Sequence, residues 1–393
     1  MKIETIHIQN YKMFKNVTIS NLSNMAVFLG ANGSGKSTLF DVFSFIQDSL
    51  IHNVRQAIAL RGGFREVVSR GEKGPITLEV EFRESPKSPL ITYSLRINQK
   101  EGRVQIEQER LEYRRGQRGR PWRFLDFKEG EGFAIPNDEE YTTKPEAEMN
   151  REYQKLDSPD ILAIKGLGQF QRFRAAASFR RLIENWHISD FHISAAREGQ
   201  EAGYAEHLSS RGDNLPLAAQ FLYENHRDIF NKALEKMKQR VPGVSQVETA
   251  LTEDGRIVLK FQDDAFQDPF IARHVSDGTI KMFAYLILLN DPSPHPLLAV
   301  EEPENQLHPD LLIELAEEFR EYSQRGEQVF ISTHSPDFVN GVKLNEIFWL
   351  TKSEGFTKIT RASDNANLKS LVDAGDLPGY LWKQGLFQGA GLR

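Results

Sequence analysis

A glycine-rich segment near the start of the chain has the residue types and spacing of a phosphate-binding loop. Residues 30–37 match the pattern G-x-x-x-x-G-K-[ST] and lie between an apolar run, 25–29, and a helical pattern. Glycines let backbone N–H groups converge on phosphate oxygens, and a helix N-terminus adds positive potential. We predict that Lys36 contacts the β- and γ-phosphates of a nucleotide and that Ser37 coordinates Mg²⁺. The residues predicted to contact the nucleotide here are Gly30, Asn32, Gly33, Ser34, Gly35, Lys36, Ser37 and Thr38.

Two carboxylates follow a second apolar run, at residues 297–300. Carboxylate oxygens suit Mg²⁺, so we predict Glu301 as a metal ligand, often through a bound water. Glu302 points elsewhere and is predicted to be the general base for an attacking water. On their own, two glutamates after a strand could equally be solvated surface residues. Their presence in one chain with the phosphate-binding loop favours the catalytic interpretation.

Two further segments carry weaker signals. Ser276 and Gly278, in the segment V-S-D-G-T before an apolar helix, could bind an anion at the helix N-terminus, although any helix N-cap has similar residues. His334 ends another strand-like run and could sense the γ-phosphate, or could be an ordinary structural histidine. For the other histidines considered, we expect no more than structural or surface roles. These are His187, His192, His207 and His274.

The surrounding patterns predict the elements that position these motifs. Alternation at residues 76–127 favours an antiparallel sheet, and helical patterns occur around 169–186 and 215–239. In the last third of the chain, strands alternate with helices, which favours a mainly parallel sheet. We therefore predict an α/β fold with a parallel core sheet, an antiparallel β subdomain and a helical insertion. The predicted domains are an N-terminal lobe at 1–135, the insertion at 136–245 and a C-terminal lobe at 246–393.

The composition excludes several kinds of chemistry. The chain has 393 residues, 26% of them charged, and a net charge of −6, unlike a protein that coats nucleic acid. It has no cysteine, which rules out disulfides, thiolate zinc sites, iron–sulfur clusters and cysteine nucleophiles. We find no signal-peptide core and no long apolar stretch, and therefore expect a cytoplasmic protein.

Taken together, these motifs resemble those of the ABC-type ATPases of the RecF, SMC and OLD-like group, and especially the bacterial AAA family ATPases whose head stands almost alone. The resemblance implies that residues 30–38 are Walker A and that Glu301 and Glu302 form Walker B. It also implies that residues 275–279 are the signature motif, which faces ATP held by another protomer. Residues 304–309 resemble the D-loop segment, and His334 the switch histidine.

The resemblance further implies ATP and Mg²⁺ as ligands and a homodimer that closes over two ATP molecules and reopens on hydrolysis. We expect such a switch to gate a DNA-related or antiviral effector on a separate chain. Two features depart from the group. The Q-loop glutamine cannot be assigned among Gln47, Gln169 and Gln171, and the middle of the chain has no heptad arms. A fused Toprim nuclease is also not expected in the roughly sixty residues after His334.

Other interpretations remain open at this point. An energy-coupling subunit of a membrane transporter is the alternative function, although its usual motifs differ from those seen here. A self-contained nuclease would need a second metal cluster, and the sequence indicates no grouping of histidines and carboxylates for one. One basic stretch could contact DNA or RNA phosphates or could be a charged hairpin turn. Its arginines are Arg114, Arg115, Arg118, Arg120 and Arg123.

Overall fold

The computed structural model describes residues 1–85, 87–113, 122–136 and 150–391. The strands are β1 (Lys2–Tyr11), β2 (Phe14–Ile19), β3 (Met25–Leu29), β4 (Ile76–Arg83), β5 (Ile91–Lys100), β6 (Arg103–Tyr113), β7 (Trp122–Lys128), β8 (Glu131–Ala134), β9 (Glu152–Lys155), β10 (Trp186–Ser189), β11 (Gln200–Glu201), β12 (Val244–Leu251), β13 (Arg256–Asp263), β14 (Phe270–Ile271), β15 (Leu297–Glu301), β16 (Gln328–Thr333), β17 (Ile347–Ser353) and β18 (Phe356–Arg361). The α-helices are α1 (Lys36–Ile51), α2 (Val54–Leu60), α3 (Phe64–Val67), α4 (Ala163–Leu167), α5 (Arg174–Glu184), α6 (Ile193–Ala196), α7 (Leu215–Asn225), α8 (Arg227–Arg240), α9 (Asp277–Leu289), α10 (Leu312–Gln324), α11 (Pro336–Asn340), α12 (Ala366–Asp373) and α13 (Pro378–Lys383).

A six-stranded sheet with the order β10-β15-β16-β3-β17-β18 forms the centre of the molecule. Its first five strands are parallel, and β18 pairs antiparallel at one edge. Successive side chains of a strand point to opposite faces, so β3 contributes to two hydrophobic cores. Ala26 and Phe28 pack in the core that contains α1, whereas Val27 and Leu29 pack in the core that contains α9 and α10. The predicted parallel sheet is confirmed.

An eight-stranded antiparallel sheet, with the order β2-β1-β4-β5-β6-β7-β8-β9, packs in the same core as α1. Alternating burial along β5 explains the period-two pattern in its sequence. Glu109 on β6 is buried, and its carboxylate accepts hydrogen bonds from the backbone N–H groups of Ala163 and Ile164 at the start of α4. The antiparallel sheet is therefore tied to the helices that follow it.

The segment predicted as a helical insertion also supplies a strand of the central sheet. Its strand β10 pairs with β15 in parallel register, with Ser189 opposite Val300. Helical patterning extended to Trp186 in the sequence, but α5 ends at Glu184. The single helix predicted at 215–239 is instead two helices, because His226, with φ −139° and ψ 56°, leaves the helical region. The predicted domain boundaries stay a prediction.

In the described part of the chain, we find no helix with the length and apolar character that crossing a membrane requires.

Candidate nucleotide-binding site

The glycine-rich loop connects the end of β3 to the start of α1 at the carboxyl edge of the parallel sheet. Gly33 and Gly35 have φ values of 74° and 106°, a region that residues with a Cβ rarely adopt. A Cβ on Gly35 would also collide with the Thr357 side chain. The Thr357 hydroxyl donates to the Ser34 carbonyl oxygen at 2.7 Å, so β18 stabilises the conformation of the loop.

Lys36 lies at the first turn of α1 and is only 6% exposed. Its Nζ donates to the Gly30 carbonyl oxygen at 2.7 Å and more weakly to that of Ala31 at 3.3 Å. Burial lowers the pKa of Lys36, and the nearby Glu302, Glu304 and Glu301 oppose that shift. The glutamates at the end of β15 and just after it are therefore close enough for their charges to act on Lys36, which is the proximity that the two motifs require.

Ser37 and Glu301 face each other across the carboxyl ends of the sheet. The Ser37 hydroxyl is close enough to the Glu301 carboxylate to lower the pKa of Glu301, but burial raises that pKa by more. Asp190, Glu302 and Asp41 raise it further through their negative charge. A hydroxyl beside a carboxylate amid surplus negative charge is an oxygen donor set that fits Mg²⁺.

Glu302, immediately after β15, adopts φ 45°, an uncommon value for a residue with a side chain. Its backbone N–H donates to the Ser332 carbonyl oxygen at 2.9 Å, which fixes this turn to β16. The carboxylate accepts from Asn305 Nδ2 at 3.0 Å, and Oε1 lies 3.3 Å from His334 Nδ1. Because its side chain is 33% exposed, Glu302 can reach a water molecule in the site.

Glu304 supports His334 from the buried side. Its Oε1 accepts from the Thr333 hydroxyl and from the His334 backbone N–H, both at 2.8 Å. The same oxygen lies 3.4 Å from His334 Nδ1, so the imidazole stands between two carboxylates. Sequence reasoning placed Glu304 in the D-loop segment and missed this contact, since the partners are about thirty residues apart in the chain.

Asp190 is a site residue that the sequence motifs did not reveal. It follows β10, whose carboxyl end lies beside that of β15. Its charge acts on both Glu301 and Lys281. The only sequence signal was the short run Trp186–Ser189, which an aspartate follows.

Of the three glutamines considered for the Q-loop, Gln47 on α1 donates to the backbone oxygens of Ile183 and Trp186, at 3.2 and 2.9 Å. Gln169 and Gln171 are exposed in the turn between α4 and α5. The hydrogen bonds of Gln47 hold α1 against the start of β10, which is a structural role.

Ser276 and Gly278 lie at the start of α9, apart from the glycine-rich loop. The Ser276 hydroxyl caps the helix by accepting from the Thr279 N–H at 3.2 Å. A Cβ on Gly278 would lie 2.8 Å from the Gln306 carbonyl oxygen, so the segment after Glu302 packs tightly here. Both residues line an open cleft of about 980 Å³ together with 306–311 and 240–242, and loop 30–37 is not part of that lining.

Lys281, one turn into α9, contacts the segment that follows Glu302. Its Nζ donates to the Asn305 carbonyl oxygen at 2.8 Å. Burial lowers the pKa of Lys281 to about 8, opposed by the charges of Glu304, Glu302 and Asp190. The ammonium therefore orders the backbone next to Glu302.

The basic stretch falls mostly outside the described residues. Arg114, Arg115, Arg118 and Arg120 are not among them. Arg123 on β7 lies 3.1 Å from Asp126 and 3.9 Å from Glu112. Its contacts fit the charged-edge alternative as well as they fit nucleic-acid binding.

The expectation that no histidines and carboxylates group together is wrong. His207, Asp291 and His295 each offer a ligand atom, and these atoms all lie within 4.8 Å of one another. The three residues come from two loops that only the fold brings together, which is why linear spacing gave no signal.

Comparison with known proteins gives the family. A family model described as "AAA domain, putative AbiEii toxin, Type IV TA system" matches residues 25–340. The structure is similar to that of an SMC head bound to the C-winged helix domain of ScpA, with a TM-score of 0.54, 15% identity, and 92% of this chain and 98% of that chain covered. It is also similar to an SMC head with an extended coiled coil bound to the C-terminal domain of ScpA derived from Pyrococcus furiosus. For that structure the TM-score is 0.53 and the identity 15%, with 95% of this chain and 99% of that chain covered.

No curated protein sequence matches the chain. At this level of identity, the structural likeness shows the fold, that of a P-loop ABC-type ATPase head. The family match spans most of the chain, from β3 to the end of α11, and includes the loop, both glutamates and His334. The protein therefore belongs to this AAA domain family and has the architecture of an SMC-like head.

Proposed function

We propose that the protein is an ATP-hydrolysing switch in which two copies close head to head over two ATP–Mg²⁺ complexes. The observation that carries the proposal is the convergence of the glycine-rich loop, the Ser37–Glu301 pair and the Glu302–His334 pair at one sheet edge. Nucleotide phosphates commonly bind where helices begin at the carboxyl ends of parallel strands.

Each side chain then has a defined task. Lys36 exchanges its hydrogen bonds to Gly30 and Ala31 for bonds to phosphate oxygens. Ser37 and Glu301 would hold Mg²⁺, which would neutralise charge on the phosphates when bound. Glu302 accepts the proton of the attacking water, and His334, held by Glu304, hydrogen-bonds the γ-phosphate.

The cleft at the start of α9 supports a dimeric site. Ser276 and Gly278 offer a helix N-terminus of the kind that binds anions, but loop 30–37 of the same chain does not line that cleft. The γ-phosphate of an ATP molecule held by a second copy would complete it. In a two-fold arrangement, each protomer gives its loop to one site and its α9 to the other.

Light scattering with ATP and Mg²⁺, combined with a phosphate-release assay on the same samples, tests this function. We expect Glu302→Gln to accumulate as an ATP-dependent dimer that releases phosphate at least about 100-fold more slowly. Lys36→Ala and Ser276→Arg should stay monomeric. A mass that never responds to ATP, or normal hydrolysis by Ser276→Arg, would overturn the two-copy mechanism and leave a simple nucleotide site.

We also propose that the switch acts on a separate effector chain in a DNA-related or defence process. Two findings support this: the family description names a type IV toxin–antitoxin system, and both SMC head structures contain a bound ScpA domain. Pull-down with Glu302→Gln in the presence of ATP tests it, using products of neighbouring genes and duplex DNA. Binding of neither would refute the proposal.

A further inference from the structure

The group formed by His207, Asp291 and His295 lies at the amino end of the central sheet, opposite the nucleotide site. His295 precedes β15 and Asp291 follows α9, whereas His207 comes from the loop before α7. Strand β15 has five residues and spans roughly 13 Å at about 3.3 Å per residue, so His295 and Glu301 lie at opposite ends of it. The group is therefore distinct from the Mg²⁺ position.

The donor atoms in this group are fixed and only partly satisfied. Asp291 is 4% exposed, and its Oδ1 accepts from the Ser293 N–H at 2.8 Å. Its Oδ2 lies 2.7 Å from His207 Nδ1. The His295 carbonyl oxygen is held by the Tyr322 hydroxyl at 3.0 Å, yet His295 Nε2 is buried with no hydrogen bond to any described residue.

A fourth side chain, that of His187, also has a buried nitrogen without a hydrogen bond to any described residue. His187 on β10 is 4% exposed and stacks on His295, with ring centroids 4.6 Å apart. Its Nε2 is likewise buried and makes no hydrogen bond within the described part of the chain. A buried nitrogen left unpaired destabilises the folded state, so two at one place call for an explanation. A bound cation at His295 removes part of that destabilisation.

We propose that His207, Asp291 and His295 bind one Zn²⁺ ion. Two imidazoles and one carboxylate form a donor set that zinc takes, and the chain has no cysteine to compete for it. Zinc ligands sit about 2.0 to 2.2 Å from the metal, so the donor atoms, which now lie within 4.8 Å of one another, would readjust around the ion. His207 and His295 also line a cleft of about 510 Å³, from which a water molecule would supply the fourth ligand.

The ion would tie together elements that also carry the nucleotide site. Asp291 follows the helix that begins at Ser276, and His295 precedes the strand that ends at Glu301. A metal bond between the two fixes α9 against β15 at the end remote from ATP. The ion is a structural clamp, so its effect should appear in stability even when no nucleotide is present.

Zinc titration of the full-length, chelator-treated protein tests the proposal, without nucleotide and with excess Mg²⁺ to saturate oxygen-rich sites. Calorimetry and metal analysis after gel filtration should give one Zn²⁺ per chain. We expect His207→Ala and His295→Ala to weaken binding at least tenfold, and zinc to raise the unfolding temperature of the wild type but not of these two variants. His52→Ala, which removes an exposed histidine elsewhere, is the matched control and should bind as the wild type does.

His207 is the safer substitution, since its side chain is 41% exposed and its removal leaves the core intact. Zinc binding by His207→Ala with wild-type affinity would overturn the assignment. So would a wild-type protein that takes up no Zn²⁺ at micromolar concentration. In either case the pair His207–Asp291 is a hydrogen bond and nothing more.

Discussion

At the scale of single residues, the phosphate-binding loop depends on backbone angles that only glycine adopts easily. Gly35 combines φ 106° with the Thr357 side chain lying where a Cβ would be. An added methyl group therefore has to shift either the loop or β18. The hydrogen bond from Thr357 to Ser34 lies directly in its path.

We predict that Gly35→Ala abolishes ATP binding and lowers stability by more than the about 1 to 2 kcal/mol that a left-handed alanine costs. Fluorescent-nucleotide titration and urea unfolding would measure the two effects. Gly326→Ala is the control, because Gly326 has φ 114° and open space around its Cβ position. Retained ATP binding by Gly35→Ala would show that the loop tolerates the shift.

Much of the site could be predicted at this scale, and the reason is local. The loop 30–37 and the pair Glu301 and Glu302 each occupy a few consecutive residues, so their chemistry is legible in the chain. Asp190 and the zinc-site residues are different. Their neighbours are set by strand pairing and loop packing, which no spacing rule encodes.

At the scale of elements, strand β10 places a third carboxylate, that of Asp190, near Glu301, the proposed Mg²⁺ ligand. Its register with β15 places Asp190 where its charge raises the pKa of Glu301. The sequence pattern missed this strand because it has four residues and directly follows a helix. The pattern did reveal β3, β15 and β16, whose apolar runs are bounded by polar turns.

We predict that Asp190→Asn raises the Mg²⁺ concentration needed for half-maximal phosphate release by severalfold, because it removes negative charge next to Glu301. Magnesium titration at saturating ATP measures this. Asp254→Asn, in the exposed β12–β13 turn, serves as the control. An unchanged magnesium requirement would place Asp190 outside the metal site.

The buried contact of Glu109 with the start of α4 should make the stability of the protein depend on pH. Burial raises the pKa of Glu109 from its usual 4.5 to about 7, although the Ala163 and Ile164 N–H groups and the Tyr93 hydroxyl oppose the shift. Between these two pH values the folded protein holds a proton that the unfolded chain has lost. Stability contributed by this group is therefore complete below pH 4.5, falls as the pH rises to 7 and is constant above it.

We predict that Glu109→Gln, which cannot ionise, lacks this loss and gains up to about 3 kcal/mol relative to the wild type between pH 5 and pH 8. Urea midpoints at the two pH values give the difference. Glu107→Gln, on the same strand with a side chain 30% exposed, should behave as the wild type does. A pH-independent difference between Glu109→Gln and the wild type would contradict the prediction.

At the scale of the whole molecule, the two-copy arrangement makes a prediction that no single-chain site can meet. Lys36→Ala damages the loop, whereas Ser276→Arg damages the cleft at α9. A mixed dimer of these variants holds one site with both defects and one site with neither. We predict that each variant alone is inactive and that an equal mixture recovers about a quarter of wild-type phosphate release, since half of the dimers are mixed.

One control makes the mixing experiment decisive. A mixture of Lys36→Ala with Glu302→Gln should stay inactive, because both residues belong to the same chain's half of a site and the intact partner half cannot replace either one. Phosphate release by this control mixture would show that mixing restores activity without a site shared between two chains. Failure of the first mixture to recover activity would favour a site contained in one chain.

The pairing of β3 has a consequence for how the protein is made. Among the described strands, this apolar strand, Met25–Leu29, pairs with β16 and β17, which begin at Gln328 and Ile347. At about 5 to 20 residues per second, a ribosome needs roughly 15 to 60 s to add the intervening chain. During that interval a fully apolar strand has neither neighbour. The nascent chain should therefore depend on chaperones until nearly all of it has emerged, and synthesis at a higher temperature should reveal that dependence as aggregation.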